Sequence, residues 1–303
     1  MNSMHFSSQI KTLLGASLLT LSVVFAEPKG VDVNLFMQLS RPAVSVKTPA
    51  YGWLDYGTNN EVTPGFEVHY QRYGLSMSPS LWGTSRELAL HPPTKFFDAK
   101  GFYYGKNWGF DLYYQYFRGF YVMRDTQSFD NSGLNLGMFT FNVYRPLTKG
   151  SRVYNMTDGI SKNGIKWNFY YLLGGAYHNM ETHVTLLPGL NDSDGMSLID
   201  LRHAKTYDVF GALGVMLNTC FHGFYVDAGV FGGYGPQYRV VNTKLDRYDV
   251  TIKVGLRADA GYRNNRFGVG MDVQDDGNTL EFDERRRIGY QSVLVRMSLE
   301  LFL

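Results

Sequence analysis

Between Arg247 and Arg263 the chain reads RYDVTIKVGLRADAGYR, and its two parities never mix. Tyr248, Val250, Ile252, Val254, Leu256, Ala258, Ala260 and Tyr262 hold the even positions. Arg247, Asp249, Thr251, Lys253, Gly255, Arg257, Asp259, Gly261 and Arg263 hold the odd ones. Period two marks a β-strand with two unlike faces. Soluble strands usually run to about 5–6 residues, so an alternation this long calls for an extended apolar wall. Tyr248 to Tyr262 covers about 46 Å at ~3.3 Å per residue. Tilted by ~40°, it climbs roughly 35 Å, enough to cross an apolar band of ~25 Å and reach an aromatic girdle at each rim.

The same alternation recurs along the chain. Trp108, Phe110, Leu112, Tyr114 and Tyr116 interleave with Asp111 and Gln115. Ile165, Trp167, Phe169, Tyr171 and Leu173 interleave with Lys166 and Asn168. Phe66, Val68 and Tyr70 flank Glu67 and His69. Tyr207, Val209, Leu213, Val215 and Leu217 share a parity opposite Asp208, and Phe224, Val226, Ala228 and Val230 one opposite Asp227. In the final stretch VLVRMSLELFL, Val293, Val295, Met297, Leu299, Leu301 and Leu303 share one face, and Arg296, Ser298 and Glu300 the other. LNLGMFTFNVYR is apolar on both parities in places and takes no orientation from the pattern.

Twelve strands are predicted, over 31–41, 62–71, 73–82, 96–106, 108–122, 133–145, 165–178, 205–218, 221–235, 247–262, 265–275 and 289–303; the pattern admits about 10–14. Connections near Arg72 and at GKNW, NTCFHG and YRNN are short. Those at 42–61, 83–95, 123–132, 179–204, 236–246 and 276–288 are long and polar. Short turns on one side and long loops on the other are the organisation of an outer-membrane barrel, with periplasmic turns and extracellular loops. An even strand count places both ends of the barrel on the turn side, and the last strand is expected to close on the first. Residues 146–164 break the rule, being long on the short side: either the strands extend into them or they form a periplasmic excursion. The fold expected is thus all-β, a single antiparallel transmembrane β-barrel. A soluble secreted barrel would alternate with its faces inverted, but with shorter strands and no such division of connections.

Residues 1–26 are set apart. Lys11, the apolar run TLLGASLLTLSVVFA and the small-residue pattern before Glu27 read as a secretory signal peptide. The run is shorter than the ~20 residues a spanning helix needs. The barrel is assigned to 27–303. Cys220 is the only cysteine, so no intrachain disulfide supports the fold. A net charge of +2 with no basic stripe argues against nucleic acid as a partner. An aromatic share of 16%, mostly Tyr and Phe, suits a chain with interfacial girdles.

The inner face inferred from parity carries both signs: Glu67, Asp111, Lys166, Asp208, Asp227, Arg247, Asp249, Lys253, Arg257, Asp259, Asp272, Arg296 and Glu300. Two readings compete, a salt-bridged filling and a polar track for a small solute selected by rings of charge. Twelve strands lie between small filled barrels and wide porins. The candidate binding residues are Arg247, Asp249, Lys253, Arg257, Asp259, Arg296 and Glu300. No catalytic residue is assigned. An outer-membrane lipase or deacylase needs a His beside a nucleophile. His178 and His183 in AYHNMETH fall on opposite faces with no Ser beside them, and His69 and Ser76 are separated by a turn. NDSDG at 191–195 lacks the rest of a calcium loop, so neither metal nor cofactor is expected. DERRR at 283–287 places arginines where they could meet lipopolysaccharide phosphates, though an ordinary charged loop has the same composition. The glycines of GALG and GVFGGYG suit strand bending or aromatic cover rather than a phosphate cradle, since no helix follows.

The segments GFEVHYQRYGLSMSPSLW and KFFDAKGFYYGKNWGFDLYYQYFRGFYV resemble a large uncharacterised family of outer-membrane barrels, a domain of unknown function. The likeness covers about residues 62–185. Where that family is expected to carry a more polar, Ser- and Gly-bearing run before LLGG, this chain has NGIKWNFYY. The resemblance implies fold and location only. The expected function is a narrow channel or solute-binding barrel in the cell outer membrane. Its partners would be outer-membrane lipid and lipopolysaccharide, the barrel-assembly machinery and a small solute. A lipid-modifying enzyme and a structural or surface-interaction barrel are the alternatives.

Overall fold

The computed structural model of the chain describes residues 31–48, 52–58, 62–79, 94–105, 107–124, 127–147, 164–182, 203–241, 244–264, 266–281 and 287–302. The segments expected to be a signal peptide (1–26) and a calcium-like loop (191–195), together with His183 and most of 146–164, lie outside them, as do Asp283 to Arg286 of DERRR.

Thirteen strands form one sheet. They are β1 (Val31–Thr48), β2 (Gly52–Thr58), β3 (Thr63–Tyr70), β4 (Tyr73–Pro79), β5 (Lys95–Tyr104), β6 (Gly109–Arg124), β7 (Gln127–Pro146), β8 (Gly164–Glu181), β9 (His203–Phe221), β10 (Phe224–Val241), β11 (Lys244–Arg263), β12 (Phe267–Glu281) and β13 (Arg287–Phe302). The ring runs β1, β3, β4, β5 and on to β13, which pairs antiparallel with β1 from Asp32↔Phe302 to Lys47↔Arg287. That closure makes a twelve-strand antiparallel barrel. The thirteenth strand, β2, stands outside the sequential ring. It pairs with the far half of β1 (Val44↔Tyr56) and with β6 (Thr58↔Phe120), bridging them beyond the ends of β3 to β5. Gly119, at φ 95°, takes up the register shift where β6 passes from β5 to β2.

Three of the expected loops are strand instead. Most of 42–61 continues β1 and forms β2, and 123–132 and 236–246 extend the hairpins β6–β7 and β10–β11. The physical reason is that spanning a bilayer takes only ~9–11 tilted residues. Strands of 20 residues, as in β7 and β11, outrun the bilayer. Beyond it both faces meet water, so the ladder continues while the hydrophobic alternation stops. The turn side is tighter than expected too. NTCFHG reduces to His222 and Gly223, both at positive φ (50° and 88°), as a type I′ hairpin requires.

Parity sorts the barrel as alternation demands. The outer face exposes Leu112, Phe141, Trp167, Leu213, Val254, Met297 and their like. β7 takes the orientation its sequence withheld: Leu136, Met138, Asn142 and Tyr144 are buried inside, Phe139 and Phe141 exposed outside. The apolar belt is edged by aromatics. On the loop side Tyr177, Tyr207, Tyr238 and Tyr248 are register partners across β8 to β11, ring centroids 5.0, 5.9 and 5.4 Å apart. On the turn side Tyr262 packs against Phe224 and Phe267. Tyr248 and Tyr262 therefore stand in the two girdles.

The inner faces of β3 and β4 carry small side chains: Thr63, Gly65, Gly74, Ser76 and Ser78. This leaves room for long neighbours to lie across them. Phe36 of β1 covers Gly65, and Phe102 of β5 covers Gly74. Tyr170 likewise covers Gly214 of GALG, and Gly233 and Gly235 of GVFGGYG press on the backbone of β9. These glycines serve aromatic cover and close strand approach.

Candidate binding site in the barrel lumen

The lumen is crossed by polar and aromatic side chains at successive levels. Towards the loop side, the ring of His178 on β8 meets that of Tyr290 on β13, centroids 5.7 Å apart. His178 Nδ1 also faces Thr206 Oγ1 at 3.1 Å and Asp208 at 3.4 Å, and Gln237 donates to Asp208 at 2.7 Å. The chemistry is that of a satisfied buried histidine.

At the next level a network reaches from β13 to β6 over the small residues of β3 and β4. Arg296 Nε donates to Gln38 Oε1 at 2.9 Å, and Gln38 Nε2 donates to Asp98 at 3.0 Å. The Tyr113 hydroxyl and the Gln115 amide donate to the same Asp98 oxygen at 2.7 and 3.2 Å. Arg296 also lies over the Phe36 ring at 4.7 Å and 3.7 Å from Glu67, which is paired with His69. His69 is thus engaged by Glu67, and the Ser76 hydroxyl lacks a hydrogen-bond partner among the described residues, so the two do not form a nucleophile–base pair.

Arg257 and Asp111 face each other from opposite walls, β11 and β6, at 3.9 Å. Asp111 accepts from Asn142 at 2.7 Å and from Tyr144 at 2.6 Å. Arg257 lies 5.7 Å from the Tyr144 ring centroid. Two cavities flank this pair. One, of about 20 Å³, lies on the loop side and is lined by Lys253, Thr140, Asn142 and Phe231 among others. The larger, of about 80 Å³, lies on the turn side among Asn34, Glu67, Asp227, Asp259, Asp272, Arg296 and Glu300. Lys100, Arg257 and Gln274 line both. At the turn-side mouth Arg263 grips Glu300 with two hydrogen bonds, 2.5 and 2.9 Å.

Five of the candidate binding residues therefore have a place. Arg257, Asp259, Arg296 and Glu300 line the larger cavity, and Lys253 lines the smaller, 5.9 Å from the Phe210 ring. Arg247 and Asp249 lie on β11, but their side chains are outside the described residues. Lys166 has lumen parity and is exposed near the turn-side end of β8. Sequence reasoning passed over Lys100, Gln38, Asp98 and Tyr113. On β5 the inner face (Phe96, Asp98, Lys100, Phe102, Tyr104) is more aromatic than the outer one (Phe97, Ala99, Gly101, Tyr103), so hydrophobicity gives no orientation. The two charges on one parity were the available signal. Among the described residues no group of acidic, His and Cys side chains could hold a metal ion.

No family model and no curated protein matches the chain in sequence. Among solved structures, the outer membrane protease OmpT from Escherichia coli is similar over 91% of this chain and 97% of its own, at 8% identity and a TM-score of 0.40. The translocator domain of the autotransporter NalP from Neisseria meningitidis is similar over 100% of both chains, at 12% identity and a TM-score of 0.40. The P. putida toluene transporter TodX is similar over 92% of each chain, at 10% identity and a TM-score of 0.30. The fold assignment itself rests on the closed ring of strand pairs.

Proposed function

We propose that the chain is an outer-membrane β-barrel whose narrow, mixed-charge lumen takes up a small solute and passes it only when a central ion pair parts. Outer-membrane location is supported by the apolar outer belt between two aromatic girdles, on a sheet with no free edge. The resemblance of residues 62–185 to an uncharacterised barrel family supports the same location and adds no activity. On this reading the belt meets lipid, the short turns face the periplasm, and the extended hairpins stand among lipopolysaccharide. The apolar face of β13 is the surface offered to the assembly machinery.

The observation that carries the proposal is the pair of polar cavities that share Lys100, Arg257 and Gln274 and are divided by the Arg257–Asp111 contact. At 3.9 Å that contact is an ion pair without a short hydrogen bond, the kind a passing charge can displace. Wild-type barrel in planar bilayers is expected to give small, discrete conductance steps. Arg257→Ala is expected to enlarge them several-fold and shift selectivity towards cations, because the constriction loses a positive charge while Asp111 keeps its negative one. Heat-modifiable gel mobility verifies folding. Folded barrels silent in both forms would sink the proposal.

A further inference from the structure

We infer that the turn-side chamber is a binding site for a small zwitterion, its ammonium held by a wall of three carboxylates and its carboxylate by Lys100. The inference rests on the reading of the lumen as a solute site and names the solute class.

Register builds the acidic wall. Asp227 pairs across the sheet with Asp259, and Asp259 with Asp272, so three adjacent strands present carboxylates side by side to one cavity. Their direct contacts are few. Asp227 accepts one neutral hydrogen bond, from the Asn218 amide at 2.8 Å. Asp259 has, among the described residues, only the Tyr225 hydroxyl at 3.5 Å as a hydrogen-bond donor. Asp272 has neither a hydrogen bond nor an ion pair among the described residues. The guanidiniums of the chamber make short contacts with other groups, Arg263 with Glu300, Arg296 with Gln38 and Glu67, and Arg257 with Asp111, while Arg296 is also the cross-strand neighbour of Asp272 and Arg263 lines the same cavity as Asp227 and Asp259.

The second, independent observation is Lys100. Its side chain is half-buried and lines both cavities. It makes no hydrogen bond or ion pair among the described residues, and its ammonium lies 5.4 Å from the Phe102 ring centroid. It stands on β5, across the lumen from β10 to β12. A buried charge without a direct partner is unfavourable, and here Lys100 and the carboxylates face one another across a cavity instead of touching. A solute carrying both charges satisfies both walls, whereas a simple cation leaves Lys100 alone and a simple anion leaves the acidic wall alone. At roughly 10–15 Å³ per water by this measure, the ≈ 80 Å³ cavity has room for about five to eight non-hydrogen atoms, the size of a short amino acid.

The test uses the folded barrel in detergent micelles with three probes of equal carbon number: β-alanine, propylamine and propionate. Calorimetry and saturation-transfer NMR read the binding. β-Alanine is expected to bind saturably and at least ten-fold more tightly than either single-charge probe. Asp272→Asn and Lys100→Met are each expected to weaken it at least ten-fold. Asp275→Asn, an outer-face carboxylate held by Gln291, is expected to leave binding unchanged. Propylamine binding as well as β-alanine would overturn the proposal in favour of a cation site, and no binding by the folded wild type would overturn it outright. The probe comparison on wild type needs no variant to fold. Discrete conductance without β-alanine binding would leave the channel standing and remove this site. β-Alanine binding to a barrel that never conducts would keep the site and remove the passage.

Discussion

Val254→Arg is expected to destabilise the barrel by about 2–4 kcal/mol, the cost of a lipid-facing arginine near the bilayer midplane. Val254 lies on the even face of β11, between the girdle residues Tyr248 and Tyr262, and is 58% exposed to the surroundings of the barrel. In water such exposure would make the site tolerant, and a substitution there would change stability by about 0.5 kcal/mol or less. In hydrocarbon it places a guanidinium among acyl chains. The size of the effect therefore reports which solvent covers the even face. Urea titration of folding into lipid vesicles, read by the heat-modifiable gel shift, gives the number. Lys253→Ala, one residue away and facing inward, serves as the contrast and is expected to leave insertion intact. If Val254→Arg folded as well as wild type in vesicles, the transmembrane reading of the whole outer belt would fall.

The parity that sets Val254 outward and Lys253 inward was legible in the sequence for most of the barrel wall. Every strand with clear alternation faces the way its pattern says, the apolar parity outward and the polar parity into the lumen. Strand ends were misjudged where that alternation stops. QSFDNSG at the start of β7 and QYRVV at the end of β10 carry no alternation, yet both stay in the ladder across a register shift. β2 was missed for a related reason: GWLDYGT has neither length nor a clean period, and only its pairing with β1 and β6 defines it. The candidate site divides along the same line. Asp227, Asp259 and Asp272 each read as inward-facing. That they stand abreast follows from the register of β10, β11 and β12, which turns and shear set and composition does not encode. Lys100 was hidden by its own strand, where the aromatics cover glycines inside the lumen.

Removing the guanidinium at the centre of the lumen is expected to cost more than any other lumen change: Arg296→Met should destabilise the barrel by about 3–5 kcal/mol, the range for a buried charge network that loses one partner. Arg296 is 8% exposed and ties four strands together. Its Nε fixes Gln38, whose amide then donates to Asp98, and its Nη1 faces Glu67 at 3.7 Å. Methionine keeps much of the volume beside Phe36 but leaves Gln38 Oε1 without its donor and Glu67 with His69 alone. Two of the affected groups sit on β1 and β3, next to the β13–β1 seam that closes the ring. The loss should therefore appear as early unfolding of that seam, with hydrogen exchange rising first along Asn34–Ser40. A double-mutant cycle with Glu67→Gln isolates the ionic part. If the network is coupled, the double variant is expected to be less destabilised than the sum of the two singles by about 1–3 kcal/mol. Strict additivity would mean that Arg296 acts through packing on Phe36, and that the mixed charges of the lumen are not what holds its wall together.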